Sequence, residues 1–310
     1  MENFNYNLLA DPKVYQINRL AAHSSHAFYK NKKEAELKKS SFVKSLNGIW
    51  KFHFAKNLAQ ALPDFEKEEV NCDSWDDIRV PGSIQLQGYG TPQYVNVMYP
   101  WDGHELIKPG QIPVEEHPVA SYVTYFTVDK AWKGHSVCIS FQGVESAMAL
   151  WCNGKFVGYA EDTFTPSDFD LTPYIKEKGE NKLAVQVFKY CSGSWLEDQD
   201  FFRFSGIFRN VYMLTRPEGH ITDYKIETTF SDTDGILTFI NESSVDIKLV
   251  LDEKVAVAPA KSKAEIVIPD VQLWNTETPN LYTLELYAKG EKIIESVGFR
   301  EVTIDGKVFK

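Results

Sequence analysis

The sequence has no apolar run approaching the ~18 residues that a membrane-spanning helix requires. Positive charge is the minority sign. The 33 Lys and Arg face 43 Asp and Glu, for a net charge of −10. A nucleic-acid binder needs a basic surface to displace counterions, so this balance argues against that class. Cysteine is scarce: Cys72, Cys138, Cys152 and Cys191 form no CxxC pair and have no histidine at metal-ligand spacing. Cys138 and Cys152 fall within apolar strand patterns, which suits buried free thiols better than bridges. The opening MENFNYNLLADPKV lacks the basic and apolar regions of a secretory signal, so a soluble cytoplasmic protein is expected. In that compartment the sequon Asn241-Glu242-Ser243 is incidental. The strand–helix alternation of a (β/α)8 barrel is also missing.

What is present reads as β-structure. At 310 residues, with 43% hydrophobic and 25% charged residues, the chain suits two globular domains rather than a disordered segment. Aromatics reach 14%, which favours strands and also sugar stacking, and decides neither. Period-two alternation recurs: Trp50, Phe52 and Phe54 oppose Lys51 and His53, and Leu183, Val185 and Val187 oppose Ala184, Gln186 and Phe188. Asn153-Gly154 between two such runs is a strong two-residue hairpin signal, since both central positions need positive φ. The charged stretch 30–46 lacks a good apolar stripe and is expected to be mostly extended or loop. Composition shifts at Arg216-Pro217-Glu218-Gly219, a turn cluster. The expectation is an all-β protein, with a jelly-roll-like β-sandwich over 1–216 and an immunoglobulin-like β-sandwich over 217–310.

The stretch WLEDQDFFRFSGIFRNV (195–211) is neither a solvated loop nor a core strand. It sets Glu197, Asp198 and Asp200 beside Phe201, Phe202, Phe204 and Phe208, with Arg203 and Arg209. Polar groups amid that much aromatic surface need partners, either each other or a ligand. In an extended strand Asp198 and Asp200 would share a side, about 6.5–7 Å apart. That is not far from the roughly 5–5.5 Å of a retaining glycosidase pair, but a strand surface presents such pairs often. A local active site is therefore not expected.

The same stretch closely resembles the sugar-binding region of the β-galactosidases of glycoside hydrolase family 2. The resemblance extends over nearly the whole chain: QINRLAAH (16–23), LNGIWKFHF (46–54), VPGSIQLQGYGTPQYVNVMYP (80–100), SAMALWCNGKFVGYAEDTFTPSDFDLTPYI (146–175) and VQLWNTETPNLYTLELY (271–287). LNGIWKF and LWxxExPxLY occur across the family, including β-glucuronidases and β-mannosidases. The EDQD run and YVNVMYP point to β-galactosidases.

The resemblance implies that both catalytic glutamates and the magnesium residues belong to a barrel domain beyond Lys310. The chain would then be the non-catalytic front portion of such an enzyme, hydrolysing terminal β-galactosides only when complete. It also implies that Asp200 contacts galactose hydroxyls and a monovalent cation (Na or K), that Asn96 reaches the same galactose, and that the enzyme is a homo-oligomer. The chemistry suits: a carboxylate accepts several hydroxyl donors and binds hard cations, and an amide both donates and accepts. Where the family more commonly has tryptophan, Phe202 stands second in the aromatic pair. Arg203 and Arg209 read as planar donors tying the acidic run to its neighbours. Trp101, with Asp102 and His104, is expected to serve loop packing, and it is kept as a lesser sugar-contact candidate. The other readings of the whole chain are an autonomous carbohydrate-binding module and an assembly module.

Overall fold

The computed structural model describes residues 4–197 and 199–309. They form two compact units. The first comprises residues up to Ala21 together with Val43–Thr215, and the second Ala22–Phe42 with the chain from Arg216 on. No helix among the described residues is long and apolar enough to cross a membrane.

The first unit is an antiparallel β-sandwich. Its larger sheet has seven strands, in the spatial order Gln16–Ile17, Lys155–Ala160, Ala147–Cys152, Asn181–Phe188, Val119–Phe126, Gly48–Ala55 and Asp76–Val80. The smaller has four: Ser167–Asp170, Val137–Phe141, Val211–Thr215 and Val43–Ser45. Trp50, Phe52, Leu183, Val185 and Val187 from the large sheet pack with Ile139, Phe141, Phe169, Val211 and Met213 from the small one. The hairpin at Asn153-Gly154 forms as the dipeptide predicts, with φ of 50° and 74°.

Alternation in the strand Asn181–Phe188 does not mean one wet face, because all eight residues are buried. Its second face, with Ala184 and Phe188, packs on Leu9 from the N-terminal turn and on Phe65 and Cys72 from the loop that follows Ala55. Polar side chains on that face need partners, and they have them. The Lys182 ammonium donates to the carbonyls of Phe65, Lys67 and Val70 at 2.9, 2.6 and 2.9 Å. Burial holds its pKa below the ordinary lysine value. Gln186 accepts from the Tyr6 hydroxyl and donates to Ser121 Oγ.

The second unit is a smaller immunoglobulin-like sandwich. A three-stranded sheet (Tyr224–Ser231, Asp234–Asn241, Lys263–Ile268) accompanies a five-stranded one. The latter runs Phe28–Tyr29, Glu291–Val297, Tyr282–Ala288, Ile247–Leu251 and Lys254–Ala258. Here burial does alternate residue by residue, as in Asp234–Asn241, the mark of one core face and one solvated face. Asn241 of the sequon is buried, its amide donating to the carbonyls of Val245, Ala258 and Pro259.

Two expectations need correction. The segment 1–216 is not one body, because Ala22–Phe42 clusters with the second unit. The physical reason is local: Phe28 and Tyr29 pair with Ile293 and Lys292, and the Arg216 guanidinium lies 4.2 Å over the Phe28 ring. Arg216 Nε also donates to the buried Glu291 at 2.7 Å. The stretch 30–46 is mostly extended or loop, as expected, with one short helix, Lys32–Glu36, started by Asn31 accepting from the Glu34 backbone N–H at 3.0 Å. All four cysteines are free, but Cys138 is only partly buried.

Candidate functional site

The site is built on a two-stranded ribbon. Gln93–Val95 pairs antiparallel with Phe201–Arg203, in the register Val95↔Phe201, Tyr94↔Phe202 and Gln93↔Arg203. The pairing continues one step: the Asp200 backbone N–H donates to the Asn96 carbonyl at 3.0 Å. Two residues chosen from motifs far apart in sequence therefore meet at one end of one ribbon. Both are exposed. Asp200 takes the left-handed conformation (φ 56°), which Asp and Asn tolerate better than most residues. The strand geometry expected for Asp198 and Asp200 thus fails at Asp200, which precedes the strand, and Asp198 lies outside the described residues.

The Asp200 carboxylate has a partner that the sequence reading did not name. The Tyr94 hydroxyl donates to its Oδ1. The arginines expected to hold it lie elsewhere. Arg203 is buried, with Nη1 3.5 Å from the Ser194 carbonyl, and Arg209 donates to the Phe164 carbonyl at 2.7 Å while lying over Phe208. Near Arg203, Lys189 is also buried. Burial draws its ammonium down to about 8, against the pull of Glu145, and the nearby Arg203 charge adds to the lowering.

Trp101 is not a free platform. It is 4% exposed, stacked on Tyr99 at 5.2 Å and packed against Trp195 and Tyr190 at 4.7 and 5.6 Å. This burial agrees with the loop packing expected of it. The loop is tied to the ribbon by Gln93, whose amide donates to the Pro100 carbonyl at 2.8 Å. The loop's later part is pinned by Glu105, whose carboxylate accepts from the backbone N–H groups of Val114, Glu115 and Glu116 at 2.8–3.0 Å. Partial burial works against that charge, yet the three donors hold Glu105 below the usual carboxylate value. Asp102 accepts from the Tyr99 backbone N–H, and His104 lies 3.8 Å from Glu116. Around the ribbon end, Tyr94, Val97, Met98, Leu196, Phe201 and Phe202 are exposed, an apolar rim beside two polar groups.

The loop's last anchor is pH-sensitive. His117 is fully buried; its Nδ1–H donates to the Pro113 carbonyl at 3.2 Å and its Nε2 accepts from the Tyr190 N–H at 3.3 Å, the neutral tautomer. Burial pulls its pKa from 6.5 to about 4, although the Pro113 carbonyl works the other way. Below pH 6.5 the unfolded chain takes up a proton that the folded one refuses, so stability is intact above that pH. It falls as pH drops from 6.5 towards 4, by a few kcal/mol at about 1.4 per unit. Urea unfolding at several pH values should show this slope, and His117→Gln should flatten it. An unchanged slope in the variant would assign the acid sensitivity to other groups.

Among the described residues no group of three or more His, Cys, Asp or Glu could hold a metal ion. Asp200 offers one hard donor, Oδ2, which accepts no hydrogen bond among the described residues. That fits one ligand of a monovalent cation and not a complete site, and among the described residues no group of carboxylates fits magnesium.

Residues 43–217 match the family described as "Glycosyl hydrolases family 2, sugar binding domain", and residues 219–300 match "Glycosyl hydrolases family 2". The chain is 43% identical to a β-galactosidase of Halalkalibacterium halodurans, covering 99% of this chain and 33% of that protein. It is 41% identical to one of Clostridium acetobutylicum, covering 97% and 36%. A β-galactosidase large subunit of Leuconostoc lactis is 40% identical, with 98% of this chain and 54% of the relative covered. The chain thus spans about a third of the first two relatives and about half of the third. Among solved structures, a β-glucuronidase of an uncultured Clostridium sp. superposes with TM-score 0.65 at 21% identity, over 95% of this chain and 48% of that one. A Ruminococcus gnavus β-glucuronidase gives 0.63 at 18%, over 86% and 45%, a likeness of fold.

Proposed function

The chain belongs to glycosyl hydrolases family 2, and from that premise we propose that it is the substrate-holding front portion of a retaining β-galactosidase. The observation that carries this reading is the pairing of Asp200 with Asn96 at the exposed ribbon end. Relatives named β-galactosidase support it. Retaining hydrolysis needs an acid/base carboxyl and a nucleophilic carboxylate about 5–5.5 Å apart. We assign no such pair to this chain; both belong to the part of the relatives it does not span. The role of this chain is to bind and orient. The Asp200 carboxylate accepts sugar hydroxyls and the Asn96 amide donates to and accepts from them, holding the galactosyl ring in place. A sodium or potassium ion would take Oδ2 of Asp200 as one ligand and supply local positive charge; magnesium would be held outside this chain. Free cysteines suit a reducing, cytoplasmic compartment. Relatives named as large subunits favour an enzyme of several chains, testable by solution mass.

The isolated chain should not turn over a chromogenic β-galactoside, nor bind galactose at useful affinity in calorimetry. Joined to the remaining two-thirds of the Halalkalibacterium enzyme, it should support hydrolysis. Turnover by the chain alone that disappears in Asp200→Asn would make the ribbon end catalytic. Micromolar galactose binding by the chain alone would make it a binding module instead.

A further inference from the structure

We propose that Tyr94 is a positioning residue for the galactoside site: its phenol, diagonal to Asp200 across the ribbon, fixes the carboxylate through Oδ1 and leaves Oδ2 as the oxygen open to a sugar hydroxyl or cation. This rests on the reading above that Asp200 serves the substrate.

Three observations carry it. First, register places Tyr94 opposite Phe202, and the Asp200 backbone N–H meets the Asn96 carbonyl two steps further along, so Tyr94 and Asp200 are diagonal neighbours in the ribbon. Second, the Tyr94 hydroxyl donates to Oδ1, and no other hydrogen bond to the carboxylate exists among the described residues. Third, the phenol ring is itself braced, 5.3 Å from Phe202, which stacks on Phe204 at 5.6 Å. An exposed aspartate at a ribbon end would otherwise turn freely about its side-chain bonds, and that freedom would be lost on binding. A braced donor removes it beforehand. Placing the carboxylate beside the phenol also raises the Tyr94 pKa, chiefly through their hydrogen bond, so the phenol stays a donor across the neutral range.

Tyr94→Phe keeps the ring and its contact with Phe202 and removes only the donor. In the chain joined to the rest of the enzyme, the sodium concentration for half-activation and the KM for a nitrophenyl galactoside should each rise about tenfold, the order expected for one hydrogen bond to a charged group. The melting curve should not move. In the chain by itself, an ultraviolet difference titration against Tyr94→Phe should isolate one late-ionising phenol from the other raised tyrosines, and that phenol should ionise earlier in Asp200→Asn. This second readout needs no activity. Wild-type sodium and KM curves in Tyr94→Phe, with Asp200→Asn strongly impaired, would overturn the inference and leave the proposed function standing. Wild-type behaviour in both variants would overturn the proposed function and the inference with it. A defect in Tyr94→Leu but not in Tyr94→Phe would make the ring, not the hydroxyl, the contributing group, and would also overturn the inference.

Discussion

Asp200→Asn, in the chain joined to its missing remainder, should lower turnover by two orders of magnitude or more. A carboxylate facing several hydroxyls and a cation makes charge-assisted hydrogen bonds, each about 1.5–3 kcal/mol, and the amide weakens all of them at once. If contacts strengthen as the sugar ring distorts, the loss appears in kcat as well as in KM. Asn96→Ala should cost about 1 kcal/mol, less than tenfold, because a neutral amide contact is weaker. The fragment should hardly notice Asp200→Asn. Asparagine accepts the left-handed backbone at φ 56° as readily as aspartate, and its carbonyl oxygen can still take the Tyr94 hydroxyl. A shift in unfolding free energy below about 0.5 kcal/mol is expected. The decisive comparison is kinetics of the joined protein against melting of the fragment. A fragment that collapses while turnover is unharmed would make Asp200 structural.

The second large effect concerns stability. Trp101→Ala should destabilise the first unit by about 3–5 kcal/mol, the range for deleting a large buried aromatic. The indole is almost wholly buried, and Tyr99, Tyr190 and Trp195 would all lose a packing partner. Phe201→Ala, at a residue 52% exposed, should stay below about 1 kcal/mol. Denaturant unfolding of the two variants separates a packing tryptophan from a sugar platform. If Trp101→Ala melted like wild type, the ring would be free for a ligand.

The strands and their core faces were legible because a pleated strand has a fixed period of two, and Trp50, Phe52, Leu183 and Val185 keep it. Asn153-Gly154 was legible because few dipeptides tolerate two positive φ values. Asn96 and Asp200 emerged from motif resemblance; that they face each other is a fact of register that neither motif contains. Tyr94 was missed for the same reason: it looks like an ordinary strand aromatic until Phe202 is laid opposite it. Loop packing was legible for Trp101 because a tryptophan beside Pro100 and Asp102 has a loop's neighbours in sequence, but its partners were not. Its cover comes from Tyr190 and Trp195, nearly a hundred positions away. Arg209 was expected to serve the acidic run by proximity in sequence, yet its guanidinium donates to the Phe164 carbonyl.

The small edge strand Phe28–Tyr29 has a consequence for how the chain is made. Its partner Ile293 lies far later in the sequence and leaves the ribosome long after it. Until then Phe28 has neither its strand neighbour nor the Arg216 guanidinium above it. The second unit therefore cannot finish vectorially, behind the first, as a sandwich made of one continuous segment could. An apolar strand remains uncovered until Ile293 has emerged, a window in which it can pair wrongly with another nascent chain. Ribosome-stalled chains ending before Glu291 should leave this segment open to protease, and chains extending past Val297 should close it.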